Sequence, residues 1–124
     1  MPMPTPGSSK AELRSWARRT RSQQEPPVLW PILAALSEFE QAMHILLYAA
    51  MPGEIDVLPL AETPNKRFYL PRCAENRRIA IHAYPCSLVP GPFGIREPDA
   101  SLPEAATEVI DLVLVPGLVF SPDG

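Results

Sequence analysis

The fold is decided by residues 43–56, which read MHILLYAAMPGEID. The run from Ile45 to Met51 carries no charged residue, which is typical of a strand buried on both faces of an α/β sheet. Pro52-Gly53 ends the run, because proline cannot donate to a strand ladder and glycine permits a tight turn. Ligands of open α/β sheets bind outside the carboxyl ends of the strands. Glu54, the first charge after the strand, is therefore a candidate ligand-binding residue. An ordinary turn with solvated acids is the alternative.

The composition indicates one globular domain. The chain has 124 residues, 46% of them hydrophobic, and its 17 prolines favour short elements joined by rigid turns. Residues 1–9 are predicted to be a disordered tail and residues 10–124 a single α/β domain. The N-terminus lacks the apolar core of a signal peptide, and no apolar run reaches the length of a membrane span. Cys73 and Cys86 fit neither a disulfide framework nor a zinc pattern. These features predict a cytoplasmic protein with free thiols.

The charge is divided unevenly along the chain. The net charge is -3, but residues 1–24 carry +4 and the remainder carries -7. The basic end favours an anionic ligand, whereas the acidic body argues against a broad nucleic-acid surface.

The basic end is predicted to form a helix that begins after Ser8 or Ser9, either of which can act as its N-cap. Lys10, Arg14 and Arg18 follow the i, i+4, i+8 spacing and form one row, here called the basic stripe. Like charges at this spacing cost a few tenths of a kcal/mol per pair. The stripe therefore indicates either a bound polyanion or a solvated helix face.

The remaining elements follow from periodicity and from the prolines. Residues 31–41 are predicted to be one amphipathic helix with Ile32, Leu36 and Phe39 facing the core. Further strands are predicted at 66–70, 79–84 and 110–115, the first ended by Pro71 and the last buried on both faces. Together these elements predict a three-layer α/β sandwich with a mostly parallel open sheet.

The sequence leaves the roles of two further side chains, Phe93 and His82, to be decided. Phe93 lies in residues 88–98, which the prolines and glycines predict to be an irregular, stiff loop; its ring either fills the core or stacks on a ligand. His82 is expected to be a surface or structural histidine, because no metal-ligand spacing surrounds it.

Five motifs resemble the 5-formyltetrahydrofolate cyclo-ligase family, also called methenyltetrahydrofolate synthetases. In chain order they are Lys10-x-x-Leu13-Arg14, Pro52-Gly53-Glu54-Ile55-Asp56, Leu70-Pro71-Arg72, Gly91-Pro92-Phe93-Gly94-Ile95-x-Glu97-Pro98 and Ile110-Asp111-Leu112-Val113-Leu114-Val115-Pro116-Gly117-Leu118-Val119-Phe120. Each motif alone is weak, but five in the same order between residues 10 and 124 make a specific match.

The resemblance implies an enzyme of one-carbon metabolism that uses ATP and Mg²⁺ to convert 5-formyltetrahydrofolate into 5,10-methenyltetrahydrofolate. It implies ATP binding by Lys10 and Arg14, since phosphoryl transfer needs cations on the polyphosphate. It also implies substrate binding by Ala49, Glu54 and Phe93. Glu54 would accept hydrogen bonds from the pterin ring, and Phe93 stands where the family has an aromatic residue that packs on the pterin. It assigns no catalytic and no metal-binding residue.

The sequence departs from the family pattern near its C-terminal end. The family continues after Phe120 with an aspartate and a glycine-rich run, R-L-G-x-G-x-G-Y-Y-D, whose backbone N–H groups bind ATP phosphates. Here Ser121 replaces the aspartate, and the sequence reaches Gly124 just before that run. The connection from Asp56 to Pro71 is also shorter, by about one helical turn. The resemblance therefore predicts a chain truncated before the ATP loop, and residues 1–124 alone are not expected to turn over.

Two other hypotheses remain open from the sequence. One is a non-catalytic relative that binds folate or dimerises through an unfinished sheet edge, which an assay of turnover against simple binding would distinguish. The other is a nucleic-acid-binding module that uses the basic stripe. The acidic body and the lack of interleaved aromatic residues make it the weakest hypothesis.

Overall fold

A computed structural model describes residues 7–22 and 26–116 of the chain. Its α-helices are α1 (Lys10–Ser22), α2 (Trp30–Ala34) and α3 (Ser37–Gln41). Its strands are β1 (His44–Leu46), β2 (Arg67–Cys73), β3 (Ile79–Tyr84), β4 (Leu88–Pro90), β5 (Arg96–Pro98) and β6 (Leu112–Val113). Single turns of 3₁₀-helix occupy Leu58–Glu62, Glu75–Arg77, Pro92–Gly94 and Thr107–Val109. None of the helices in the described ranges combines the length and the hydrophobicity that crossing a bilayer needs.

The main sheet has the strand order β3-β2-β1-β6. The central strand β1 runs parallel to both of its neighbours, whereas β2 and β3 are antiparallel. The prediction of an α/β fold with a mostly parallel open sheet is therefore confirmed. Strands β4 and β5 form a separate antiparallel pair, here called the β4–β5 hairpin.

The hydrophobic core is centred on β1 and the residue that follows it. Ile45 and Leu47 are fully buried, as the apolar run predicts. The core continues into β2, α3 and the turn Leu58–Glu62 through the buried side chains of Phe39, Ala42, Val57, Leu60, Phe68 and Leu70. The core thus fixes the carboxyl end of β1, and the loop that follows it, against the helical layer.

Asp111 joins the amino end of β1 to the segment that leads into β6. Its carboxylate accepts hydrogen bonds from the backbone N–H groups of Met43 and His44, both at 3.1 Å, and its own N–H donates to the His44 carbonyl at 3.0 Å. Strand β6 is short and lies at an edge of the sheet, and Val113 is about half exposed. The prediction of a strand buried on both faces at 110–115 was therefore wrong.

Helix α1 begins where the sequence predicts. The Ser9 hydroxyl accepts a hydrogen bond from the Glu12 N–H at 3.2 Å and donates to the Glu12 carboxylate at 3.1 Å, so it acts as the N-cap. Ala17 is buried, and all three members of the basic stripe are exposed. The basic stripe therefore faces solvent.

The predicted helix at 31–41 was wrong in its continuity and in its buried face. Leu36 has extended backbone angles and separates α2 from α3. The break changes the rotational phase, so the 3.6-residue period does not continue across it. Phe39 is buried as predicted, but Ile32 and Leu36 are exposed. Trp30 and Leu33 of α2 pack against the core instead.

Pro71 does not end the second strand, which continues to Cys73. Pro71 lies opposite Ile81, whose carbonyl accepts from the Ala105 N–H at 2.8 Å on the far side of β3. Ile81 therefore directs its backbone groups away from β2, and Pro71–Ile81 is a non-hydrogen-bonded pair. The proline lacks no ladder bond at this position, so Arg72 belongs to the strand.

Residues 88–98 are also more regular than predicted, because they form the β4–β5 hairpin around the turn Pro92–Gly94. The backbone of Gly91 lies close to the returning strand. A Cβ atom there would come within 2.7 Å of Glu97 Cδ and of the Ile95 carbonyl oxygen. Only glycine fits at this position without displacing the hairpin.

His82 is a structural histidine and is fully buried. Arg72 Nε donates to His82 Nε2 at 3.0 Å, and His82 Nδ1 lies 2.9 Å from the Pro103 carbonyl oxygen. A carbonyl only accepts, so Nδ1 carries the proton and the ring is neutral. Arg72 and Arg78 both pair with Glu104, and the hydrogen bonds from Arg78 hold the pKa of the Glu104 carboxyl below its usual value.

Both cysteines are free thiols, as predicted. Cys73 is exposed at the end of β2. Burial raises the pKa of the Cys86 thiol. A raised pKa lowers the thiolate fraction at neutral pH, so reactivity at Cys86 is suppressed.

Candidate functional site

An open cleft of about 520 Å³ lies at the carboxyl end of β1. One wall is the loop after β1, which contributes residues 49–54, Asp56 and Leu58. The β4–β5 hairpin also contributes to the lining, through Leu88 and Arg96. Pro26 completes the lining among the described residues. The cleft thus lies where ligands of open α/β sheets bind.

The loop after β1 is a hydrogen-bonded turn built on proline and glycine. The Glu54 N–H donates to the Met51 carbonyl at 2.9 Å, and Gly53 has a φ of +86°. A turn with proline second and a left-handed residue third requires glycine at that third position. The Pro52-Gly53 pair therefore determines the direction in which Glu54 leaves the strand.

The two acids of the cleft each bind a backbone N–H group. Glu54 Oε1 accepts from the Met51 N–H at 2.8 Å, and Asp56 Oδ1 accepts from the Leu58 N–H at 3.1 Å. Glu54 is half-buried, whereas Asp56 is exposed. The bond from the Met51 N–H thus orients the Glu54 carboxylate, a group that accepts hydrogen bonds, at the cleft.

The structure brings together only part of the predicted site. Ala49 and Glu54 line the same cleft. Phe93 is not among the lining residues, and neither are Lys10 and Arg14. These three residues are all exposed, but the structure does not bring them together in this cleft.

Phe93 lies at the tip of the β4–β5 hairpin and is 89% exposed. Its ring does not fill the core. Of the two roles that the sequence allows, only stacking on a ligand remains. Its φ of +61° is uncommon for a large side chain. Such conformations occur often at ligand-binding sites, where the surroundings hold them in place.

Arg96 is a cleft residue that the sequence reasoning missed. The irregular loop predicted at 88–98 gave no basis for assigning a side-chain direction. In the observed strand β5, neighbouring residues point to opposite sides, and Arg96 lines the cleft while Glu97 Oε2 accepts from the Cys73 N–H at 3.0 Å. If residues 96–98 had been predicted to be a strand, the alternation of side-chain directions would have placed Arg96 and Glu97 on opposite sides.

The alternatives to this cleft are a second cavity and a cluster of metal ligands. A second cavity of about 500 Å³ adjoins the amino ends of β1 and β2 and is lined in part by Lys66. The Lys66 ammonium already donates to the carbonyls of Glu40 and Ala42 and lies 5.2 Å from the centre of the Phe39 ring. Within residues 7–22 and 26–116, no three His, Cys, Asp or Glu side chains converge as metal ligands. The cleft therefore remains the strongest candidate.

Comparisons with known proteins agree with the five motifs. A sequence model of the 5-formyltetrahydrofolate cyclo-ligase family matches residues 9–124. Comparison with curated proteins gives no match. The fold is similar to the NMR structure of 5,10-methenyltetrahydrofolate synthetase from Aquifex aeolicus, with a TM-score of 0.70 and 27% sequence identity, over 86% of this chain and 59% of that one. The chain thus spans less than two thirds of that synthetase. Because the family match extends over nearly all of the sequence, the chain belongs to the 5-formyltetrahydrofolate cyclo-ligase family.

Proposed function

We propose that the chain acts in the ATP- and Mg²⁺-dependent conversion of 5-formyltetrahydrofolate into 5,10-methenyltetrahydrofolate. The observation that supports this is the cleft: in a chain of this family, Ala49 and Glu54 line one open cleft beside the central strand. In the reaction ATP phosphorylates the formyl oxygen and leaves as ADP. N10 of the folate then attacks the activated carbon, and phosphate leaves as the ring closes.

Glu54 is proposed to bind the pterin ring. Its carboxylate is oriented by the Met51 N–H, and a carboxylate is a good acceptor for the N–H groups of a pterin. Ala49 has a small side chain, which leaves room for a flat ring against the end of β1. Phe93 is proposed to pack on that ring, since both faces of its exposed side chain are available for stacking.

Lys10 and Arg14 are proposed to bind the nucleotide phosphates. Both are exposed, one helical turn apart, and neither forms an ion pair with a described residue. A phosphate between them would remove the like-charge repulsion of the basic stripe. Mg²⁺ takes few protein ligands when it is carried on nucleotide phosphates, so the nucleotide itself would supply most of its coordination.

The Glu54→Gln variant tests the pterin contact. Glutamine still accepts the Met51 N–H bond but offers the ligand a neutral acceptor. A charged acceptor is worth about 1 kcal/mol more than a neutral one, so the affinity for 5-formyltetrahydrofolate in titration calorimetry should fall about fivefold. The melting temperature should hardly change. Asp56→Asn is the matched control, because it removes the same charge from the same cleft; equal losses of affinity in both variants would contradict the role of Glu54.

The Lys10→Ala variant tests the nucleotide contact. If Lys10 binds a phosphate, the variant should lose about 1.5–3 kcal/mol of ATP binding free energy, the contribution of a charge-assisted hydrogen bond. Arg18→Ala is the control, because Arg18 is exposed on the same stripe and lies one turn beyond Arg14. Calorimetry that gives the same ATP affinity for Lys10→Ala and the parent chain would leave the stripe as a solvated face.

A further inference from the structure

Arg96 combines a position in the cleft with the absence of a partner among the residues that the structure describes. It is the only cationic side chain among the described residues that line the cleft. Its guanidinium forms no hydrogen bond or ion pair with any residue that the structure describes, whereas Arg72 and Arg78 pair with Glu104. Five N–H donors are therefore available at the edge of the cleft.

The two acids of the cleft do not neutralise Arg96. Glu54 and Asp56 accept hydrogen bonds from the backbone of their own loop, as described above. Among the described residues, the cleft thus has its acids in the loop after β1 and its cation in the β4–β5 hairpin. This arrangement suits a ligand that has hydrogen-bond donors at one end and an anion at the other.

The backbone of Arg96 is held on both sides. Arg96 pairs with Pro90 across the β4–β5 hairpin, and the next residue, Glu97, is bonded to the Cys73 N–H at the end of β2. The Glu97 side chain also lies against Gly91, where no Cβ fits. The point at which the Arg96 side chain leaves the backbone is thus set by strand geometry and by a link to the main sheet rather than by a free loop.

We propose that Arg96 binds a carboxylate of the ligand in the cleft. This inference rests on the proposed function: 5-formyltetrahydrofolate carries a pterin with N–H donors and a glutamate tail with carboxylates, which match Glu54 and Arg96 respectively. A guanidinium binds a carboxylate through two parallel hydrogen bonds. Nucleotide phosphate is the other anion of the reaction. The two acids of the cleft repel a triphosphate more strongly than a singly charged carboxylate, so the cleft favours the tail.

The test compares two probes, 5-formyltetrahydrofolate and 5-formyltetrahydropteroamide, in which a neutral carboxamide takes the place of the whole glutamate linkage. Their affinities are measured by calorimetry for the parent chain, for Arg96→Gln and for the control Arg67→Gln. Arg67 is an exposed arginine at the opposite end of β2. The parent chain and the control should bind the glutamate-bearing probe about tenfold more tightly. Arg96→Gln should bind both probes equally, at the level of the parent chain with the pteroamide, and its ATP affinity should be unchanged.

The other outcomes separate two failures. If Arg96→Gln keeps the tenfold preference, or loses ATP affinity instead, then Arg96 does not bind the tail carboxylate, and the proposed function stands. If the parent chain binds neither probe, the proposed function fails and the inference fails with it. Circular dichroism and the melting temperature of each variant confirm that the compared proteins are folded.

Discussion

Replacing Ile45 with alanine is expected to lower the free energy of unfolding by about 2–5 kcal/mol. Ile45 is fully buried in the middle of β1, and it pairs with Phe68 of β2 on one side and Leu112 of β6 on the other. The substitution removes buried methyl groups and leaves a cavity that the surrounding strands cannot fill. Since domains of this size are stable by roughly 5–15 kcal/mol, the loss should be plain in urea denaturation followed by circular dichroism.

Ile79→Ala is the matched control for this prediction. Ile79 is also a strand isoleucine, at the start of β3, but it is 60% exposed. The same change there should cost less than about 1 kcal/mol, the range of strand propensity. If both substitutions cost the same, the core is not centred on β1.

Replacing His82 with leucine is expected to lower the free energy of unfolding by about 2–4 kcal/mol. The change removes the acceptor for Arg72 Nε and the donor to the Pro103 carbonyl. Both groups lose their partner in a region where the ring itself is fully buried and the Arg72 side chain is only 14% exposed. Urea denaturation measures the loss.

A double variant distinguishes lost bonds from lost shape. Removing both partners of a buried hydrogen bond costs less than leaving one unpaired. His82→Leu combined with Arg72→Met should therefore destabilise the protein less than the sum of the two single variants, by about 0.5–3 kcal/mol. Additive losses would show that the two residues act independently.

The sequence predicts the elements whose signal is local. The apolar run at 43–51 and the alternation in residues 79–84 were sufficient to predict β1 and β3, and the serine cap marked the start of α1. The predictions failed where distant pairing decides the structure. Pro71 is compatible with a strand because of its register against Ile81, and register across a sheet is not encoded by the proline itself. Likewise, no proline or glycine within residues 32–41 marks the break at Leu36 between α2 and α3.

The site, like the fold, can be predicted where its residues follow from a local signal. Glu54 and Ala49 follow directly from the end of β1, so sequence reasoning places them in one cleft. Arg96 lies far along the chain, and the β4–β5 hairpin brings it into the same cleft as Glu54. His82 is buried because the segment at 103–105 runs along the free edge of β3. Neither of those long-range contacts leaves a periodic pattern in the sequence.

The link between Asp111 and the start of β1 also has a consequence for how the protein is made. The two partners are 67 and 68 residues apart in the chain. A ribosome adds about 5–20 residues per second, so β1 waits on the order of several seconds before its second neighbour exists. Contacts between such distant residues slow folding, because a long loop must close first. The apolar segment around β1 is thus synthesised early and enclosed late, and during that interval its unpaired backbone and side chains are exposed to other chains.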